Sequence, residues 1–234
     1  LGTVADIVPL QGENRTMVKY GIEILRKQFR PGVRALIESS KLRNELTPSD
    51  ITFKLAPRIN AAGRVGDANV AMSLLESDNI VQAYHFAGEL ENYNRIRQEK
   101  EQEIYQEAKA KLEASHQLQE KYALLVAGQG WHQGVIGIVC SRLCDRYGCP
   151  VVLISVDEDG VGKGSGRSIG SFNLFEALTS CEDLFERYGG HALAAGLTVQ
   201  ADRIEELRTR LRKYAETHVT MAELVPQLHI DWSG

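Results

Sequence analysis

The sequence predicts an α/β protein: two bodies joined by a long connecting helix, the second body holding a mixed sheet flanked by helices. Three observations lead there. Two continuous apolar runs, residues 123–127 and 150–156, bracket an amphipathic stretch at 135–146, the order of a strand, a helix and a second strand. Residues 79–115 contain no proline and a single glycine, Gly88, so one helix could run about 55 Å there at 1.5 Å per residue. Asp157-Glu158-Asp159-Gly160 then turns the second run back into a further strand at 161–168.

The elements follow in order. Residues 4–10 read as a strand end running into a turn. Residues 14–29 have helical spacing (Met17, Tyr20, Ile24, Leu25), and Pro31-Gly32 stops the helix. A short helix follows at 33–39. Thr47-Pro48-Ser49-Asp50 is a capping cluster, and 51–56 ends at Pro57. Pro57-Arg58-Ile59-Asn60-Ala61-Ala62-Gly63-Arg64 reads as a loop, being polar and glycine-bearing, before a small-residue helix at 68–75.

In the long helix, Ile80, Ala83, Tyr84, Ala87 and Leu90 form an apolar stripe. Residues 95–103 are charged or amide-bearing at every position but Ile96. A helix without an apolar centre bridges two bodies through solvent, so a domain boundary is expected within it. Short helices are expected at 172–178 and 181–188, a strand at 193–199, and a closing helix to about residue 217. That last helix has Asp202 as its N-cap and the register Ile204, Leu207, Leu211. Residues 228–232 have strand character.

Composition narrows the function classes. Apolar residues at 43% and charged residues at 25% describe an ordinary globular chain with enough core for one large domain or two smaller ones. No apolar run approaches the roughly 18 residues of a membrane span, and the first ten residues lack the basic start of a signal peptide. A net charge of −4 argues against a protein that coats nucleic acid, while leaving room for a local basic groove. Cys140, Cys144, Cys149 and Cys181 have neither CxxC spacing nor disulfide-scaffold density, which implies buried thiols in a reducing cytoplasm rather than a zinc site. The chain opens at Leu1 without methionine and is read as a piece of a longer protein.

The chemistry-bearing residues cluster in a few places. Gly162-Lys163-Gly164-Ser165-Gly166-Arg167-Ser168 alternates glycines with charge and hydroxyls, so its bare backbone N–H groups could close on a phosphate. Gly189-Gly190-His191 through Gly196 sets a histidine among small residues with space for a ligand. Gly128-Gln129-Gly130-Trp131-His132-Gln133-Gly134 joins a strand to a helix, where free N–H groups suit an anion. Two readings of His132 stand: a substrate contact, or a histidine capping the helix that follows. Arg58, Asn60 and Arg64 suit a single-stranded nucleic acid, because guanidinium groups grip phosphate and stack on bases; salt bridges are the competing use. Asp6 sits where metal-binding carboxylates project, or caps a turn. The motifs for a dinucleotide loop, a Walker A loop, a serine elbow and a zinc protease helix are unmatched.

Taken together, Gly2-Thr3-Val4-Ala5-Asp6-Ile7-Val8-Pro9-Leu10, residues 57–64, residues 130–139, Ser165-Gly166-Arg167-Ser168 and residues 189–196 resemble the RecJ family of the DHH phosphoesterase superfamily. The resemblance implies that residues 1–78 are the C-terminal portion of a catalytic DHH domain and 79–118 the connector. Residues 119–218 would be the DHH-associated substrate-binding domain, and 219–234 the start of a following domain, with an OB-fold as the candidate. It implies 5′-to-3′ hydrolysis of single-stranded DNA at a two-metal centre holding manganese or magnesium, in which paired cations stabilise the entering and leaving oxygens. Asp6 would be a catalytic metal ligand. Ser165 and Arg167 would form the 5′-phosphate pocket, Ser168 would be a further substrate-binding residue, and Gly189, Gly190 and His191 would lie in the substrate-binding glycine motif. Trp131 and His132 would face the substrate, and Arg58, Asn60 and Arg64 would meet the incoming strand where the two domains join. The implied partners are single-stranded DNA with a 5′ end and other recombination or repair proteins, in the cytoplasm and away from membranes.

The family's earlier aspartates and its Asp-His-His signature have no counterpart in this sequence, so the chain by itself is expected to be inactive or nearly so. Two other readings remain open: a DHH-family phosphodiesterase acting on oligonucleotides or cyclic dinucleotides, and a non-catalytic module for single strands.

Overall fold

The computed structural model describes residues 1–27, 30–42, 46–120 and 122–218. The chain divides into two compact units inside its long helix, Leu1–Glu99 and Lys100–Gly234.

The first unit is helical: α1 (Gly2–Ala5), α2 (Gly12–Lys27), α3 (Pro31–Ser39), α4 (Pro48–Asp50), α5 (Ala56–Val65), α6 (Ala68–Glu76) and the first part of α7 (Ile80–Glu113). Its core gathers Leu36, Ile37, Leu46, Ile51, Leu55, Ala62, Leu74, Ala83, Ala87 and Leu90. Thr47 and Asp50 form a reciprocal capping box on α4, and one wide turn, Ile51–Leu55, carries the chain straight into α5.

Two expectations are corrected here. Residues 4–10 hold no strand: Leu1 accepts from the N–H groups of Val4 and Ala5, closing α1, and the buried Val4 carbonyl accepts from Thr52 Oγ1. Residues 57–64 are helix rather than loop. Pro57 falls in the first turn, where its missing N–H costs nothing, and Ala61 and Ala62 are fully buried. The polar residues that suggested a loop are the solvent side of that helix, with Asn60, Gly63 and Arg64 exposed.

The long helix is continuous from Ile80 to Glu113, and none of residues 95–103 is buried. Arg95 pairs with Glu99 one turn on, the type of contact that supports a solvated helix centre. Beyond it, Ile104, Tyr105, Ala108 and Leu112 are buried again.

The second unit continues with α8 (Gln117–Glu120), β1 (Leu124–Gln129), α9 (Gln133–Tyr147), β2 (Val151–Val156), β3 (Val161–Arg167), α10 (Leu174–Thr179), β4 (Phe185–His191), β5 (Ala194–Gln200) and α11 (Ile204–His218). The sheet order is β1-β2-β3-β5-β4; β1 and β2 are parallel and every other pair is antiparallel, so the sheet is mixed as expected. α9 lies against β2 and β3 on one face, while α10 and α11, which touch each other, cover the opposite face.

Residues 181–188 are not a helix. Only Glu182–Leu184 makes a short helical turn, and Phe185 onward is edge strand β4, because pairing with β5 outweighs its weak local preference. Asp202 sits inside a second short turn, Ala201–Arg203, rather than at the N-cap of α11. Residues 228–232, and the segment 219–234 as a whole, lie outside the described residues.

All four cysteines are free and buried. Burial pushes the Cys140 thiol up to about 12, despite the nearby Arg167 guanidinium, and its S–H donates to the Val151 carbonyl at 2.9 Å. Cys144 is pushed up to about 11, chiefly by burial and then by Asp145. At about pH 8 such thiols are thiolate in only about one part in a thousand or fewer. The folded protein is therefore expected to resist a thiol-specific reagent at both positions and to react fully once unfolded. Fast labelling of Cys140 in the native state would contradict that burial.

Candidate nucleic-acid interface

Strand β3 holds the sequence that alternates glycine with polar residues, and the sheet sorts it into two faces. Gly162, Gly164 and Gly166 point to the side covered by α10 and α11. A Cβ at Gly166 would stand 2.6 Å from Leu174, one at Gly164 2.8 Å from Leu197, and one at Gly162 2.8 Å from Ile154. These glycines make room for core side chains. Their N–H groups belong to a central strand with ladders on both sides, so the phosphate-closing backbone loop expected there does not exist.

The opposite face carries the chemistry. Cross-strand register sets Arg167, Ala194 and His191 in one row across β3, β5 and β4, then Ser165, Gly196 and Gly189 in the next, then Lys163, Thr198 and Arg187. Arg167 and His191 are thus two strands apart, about 10 Å between backbones, on one face. The glycines of this face differ from the first set. A Cβ at Gly189 would meet nothing within 4 Å, and one at Gly196 only the Gly164 carbonyl at 3.7 Å. A strand glycine that no neighbour demands leaves room for another group to approach the backbone. Gly190 is different again: its φ of 148° and a Cβ position 2.4 Å from the Ala194 carbonyl require glycine for the fold itself.

Arg167 is half-buried and held in place. Its Nη1 donates to Ser165 Oγ at 3.1 Å and to the Gly166 carbonyl at 2.7 Å. Gly137, one turn into α9, lets the group lie flat: a Cβ there would stand 3.1 Å from both Arg167 Nη2 and Ser165 Oγ. The remaining edge of the guanidinium, Nε and Nη2, makes no hydrogen bond among the described residues, and such an edge suits two oxygens of one phosphate. Ser168 does not join it. Its hydroxyl donates to the Phe172 carbonyl and its N–H to Leu193, so it fastens the turn after β3. His191 is exposed at the end of β4.

Trp131 is no stacking platform. It is 5% exposed, its indole lies over Gly128, and its Nε1–H donates to Glu107 of α7 at 2.8 Å. Lys111 sits over the same ring. Burial pushes the Glu107 carboxyl up, but Lys111 and the indole N–H outweigh it and hold it below the usual carboxylate range. His132 caps α9: its Nδ1 accepts from the Gly134 N–H at 3.2 Å, which leaves Nε2 as the donor of the neutral ring. Burial, and then the charge of Lys100, hold it below the ordinary histidine range.

In the first unit, Arg58 is used within the fold, donating to Glu91 at 2.5 Å and to the Lys54 carbonyl at 2.6 Å. Asn60 and Arg64 share the exposed side of α5. Asp6 is exposed at the C-terminal end of α1 rather than after a strand, beside Ile7, whose φ of 52° is unusual for a β-branched residue. The described residues contain no group of three or more His, Cys, Asp or Glu able to hold a metal ion. A lone carboxylate does not fit a pair of divalent cations. Among the described residues no helix is long and apolar enough to cross a membrane.

Thr198 and Arg187 escaped the sequence reading. With 181–188 taken as helix, the period-2 placement of Arg187, Gly189 and His191 on one face was hidden.

The class of the second unit follows from this fold and face: residues 119–217 match the family model of the DHHA1 domain. The likeness extends through the rest of the chain. It is 40% identical to the single-stranded-DNA-specific exonuclease RecJ of Bacillus subtilis over 99% of its length, and 39% identical to that of Escherichia coli over 90%. A crystal structure of RecJ in complex with Mn2+ from Thermus thermophilus superposes with a TM-score of 0.83 at 34% identity, covering 93% of this chain and 32% of that one. The corresponding Mg2+ complex matches with a TM-score of 0.82. The chain is thus similar to RecJ proteins over nearly all of its own length, and it spans 29% of the Bacillus relative and 38% of the Escherichia relative.

Proposed function

We propose that this chain supplies the strand-binding and 5′-phosphate-binding surface of a 5′-to-3′ single-stranded-DNA exonuclease. The observation that carries the reading is the α9 face of the sheet, where a fixed, half-bonded Arg167 and Ser165 beside α9 share the face with the bare glycines Gly196 and Gly189 and the exposed His191 on the strands beyond that helix. Arg167 and Ser165 take the terminal phosphate, while Gly189 and Gly196 let the first sugar lie against the backbone. His191 donates from the edge of the face. Asn60 and Arg64, on the exposed side of α5, offer the first unit's own contacts to a single strand. The RecJ relatives are single-stranded-DNA-specific exonucleases by name, and solved RecJ structures carry Mn2+ or Mg2+. Hydrolysis in the whole protein would use two such cations, with Asp6 as one ligand among several.

The test separates binding from turnover. The chain is expected to bind a 5′-phosphorylated single strand more tightly than its 5′-hydroxyl counterpart, with affinity falling as salt rises, and to release no mononucleotide when manganese is added. Equal affinity for both ends would remove the terminal-phosphate reading. Rapid release of mononucleotides would overturn the expectation of an inactive chain. Cleavage of dinucleotides in preference to long strands would favour the small-substrate phosphodiesterase reading.

A further inference from the structure

Lys163, Thr198 and Arg187 form the third row of the same sheet face, two rows beyond Arg167. Both cations are exposed, and neither makes an ion pair among the described residues. Many other cations of the second unit are paired. Arg142 pairs with Glu101, Arg203 with Glu206, Arg208 with Glu205 and Arg210 with Asp183. A bulge at Phe185–Arg187 shifts β4 by one residue, and this shift puts Arg187 opposite Thr198 instead of on the helix-covered face. The carboxylate at the bulge, Glu186, is occupied by the Gln200 side-chain amide. Between this row and Arg167 lies the row Ser165–Gly196–Gly189, which offers the Ser165 hydroxyl and two glycines whose Cβ positions meet no side chain. Two unneutralised cations flanking a hydroxyl, about 13 Å along the strands from Arg167, are placed to hold a second anion on the same track.

We infer that the Lys163–Thr198–Arg187 row is a second phosphate contact, gripping an internal phosphodiester of the strand whose terminal phosphate rests on Arg167 and Ser165. It rests on the reading of the sheet face given above. It adds a subsite that acts on chain length and not on the end.

Binding of two probes to the 234-residue chain tests it: thymidine 5′-monophosphate and a short 5′-phosphorylated oligothymidylate. In K163Q/R187Q the oligomer is expected to bind about tenfold more weakly, and the slope of log K against log salt to fall by about 0.7, the share of the one lost phosphate contact. Affinity for the mononucleotide should stay within about twofold, because it does not reach the third row. The charge-conserving K163R/R187K should keep oligomer affinity, which distinguishes lost charge from a disturbed strand. Unchanged oligomer binding in K163Q/R187Q, or equal losses on both probes, overturns the second contact and leaves the Arg167 pocket standing. An R167A variant that binds both probes normally sinks the terminal-phosphate reading instead, while a row effect confined to the oligomer would survive it.

Discussion

Replacing Arg167 with alanine should weaken binding of a 5′-phosphorylated single strand by about 2 kcal/mol, roughly thirtyfold, which is the worth of a charge-assisted hydrogen-bonded contact. Binding of the 5′-hydroxyl strand should change by less than about threefold, since the missing phosphate never used that guanidinium. The structure supports a clean loss. Arg167 is anchored through Nη1 to Ser165 Oγ and the Gly166 carbonyl, so its free edge is ordered before anything binds, and little side-chain entropy is lost on contact. Arg167→Lys keeps the charge but not the planar fork, and should recover only part of the affinity. Competition between the two oligonucleotides in a fluorescence anisotropy titration reads all of this. Equal losses on both ends would take Arg167 out of the phosphate pocket.

The largest expected effect on stability belongs to Trp131→Ala, at about 3–5 kcal/mol. The indole fills the space over Gly128, where a Cβ would stand 1.9 Å from the ring, and its N–H satisfies Glu107. The Trp131 carbonyl also accepts from the buried Ser155 hydroxyl at 2.5 Å, tying the β1–α9 connection to β2. Truncation leaves a cavity beside the start of α9, the helix that carries Gly137 under the Arg167 guanidinium. Urea denaturation followed by far-ultraviolet circular dichroism should show the midpoint of the second unit shifted strongly downward. Trp131→Phe should lie between the two, keeping the packing and losing the hydrogen bond. A loss below about 1 kcal/mol for the alanine variant would mean that the ring is not the packing element its burial implies.

Much of the fold was readable in the chain because its local signals and tertiary contacts agree. The apolar runs of β1 and β2 are buried on both sides, so their continuity survives in the structure, and the long helix has the polar centre that its composition announces. Segments failed where local preference was weak and packing decided. Residues 57–64 look like a loop by polarity. They are a helix because Ala61 and Ala62 pack into the core while Asn60 and Arg64 face water. Residues 185–191 have no strong strand character, but β5 needs a partner along its outer edge, and hydrogen bonding supplies the preference that the side chains lack.

The candidate site divides the same way. Residue types at short spacing singled out Ser165, Arg167, Gly189 and His191 as candidates, because guanidinium, hydroxyl and bare backbone suit a phosphate and are visible in sequence. Trp131, Ser168 and Arg58 bear the same chemical credentials, yet each is used within the fold, by Glu107, by the Phe172 carbonyl and by Glu91. Which polar group is left facing outward depends on strand pleat and register. Two residues apart on β3 means the same face, one residue apart means the opposite face, and only pairing with β5 and β4 aligns Arg167 with His191 and Lys163 with Arg187. The kinds of groups on offer were set by the chain itself. Their assembly into one face was set by hydrogen-bond register between strands distant in sequence, a quantity that no local pattern encodes.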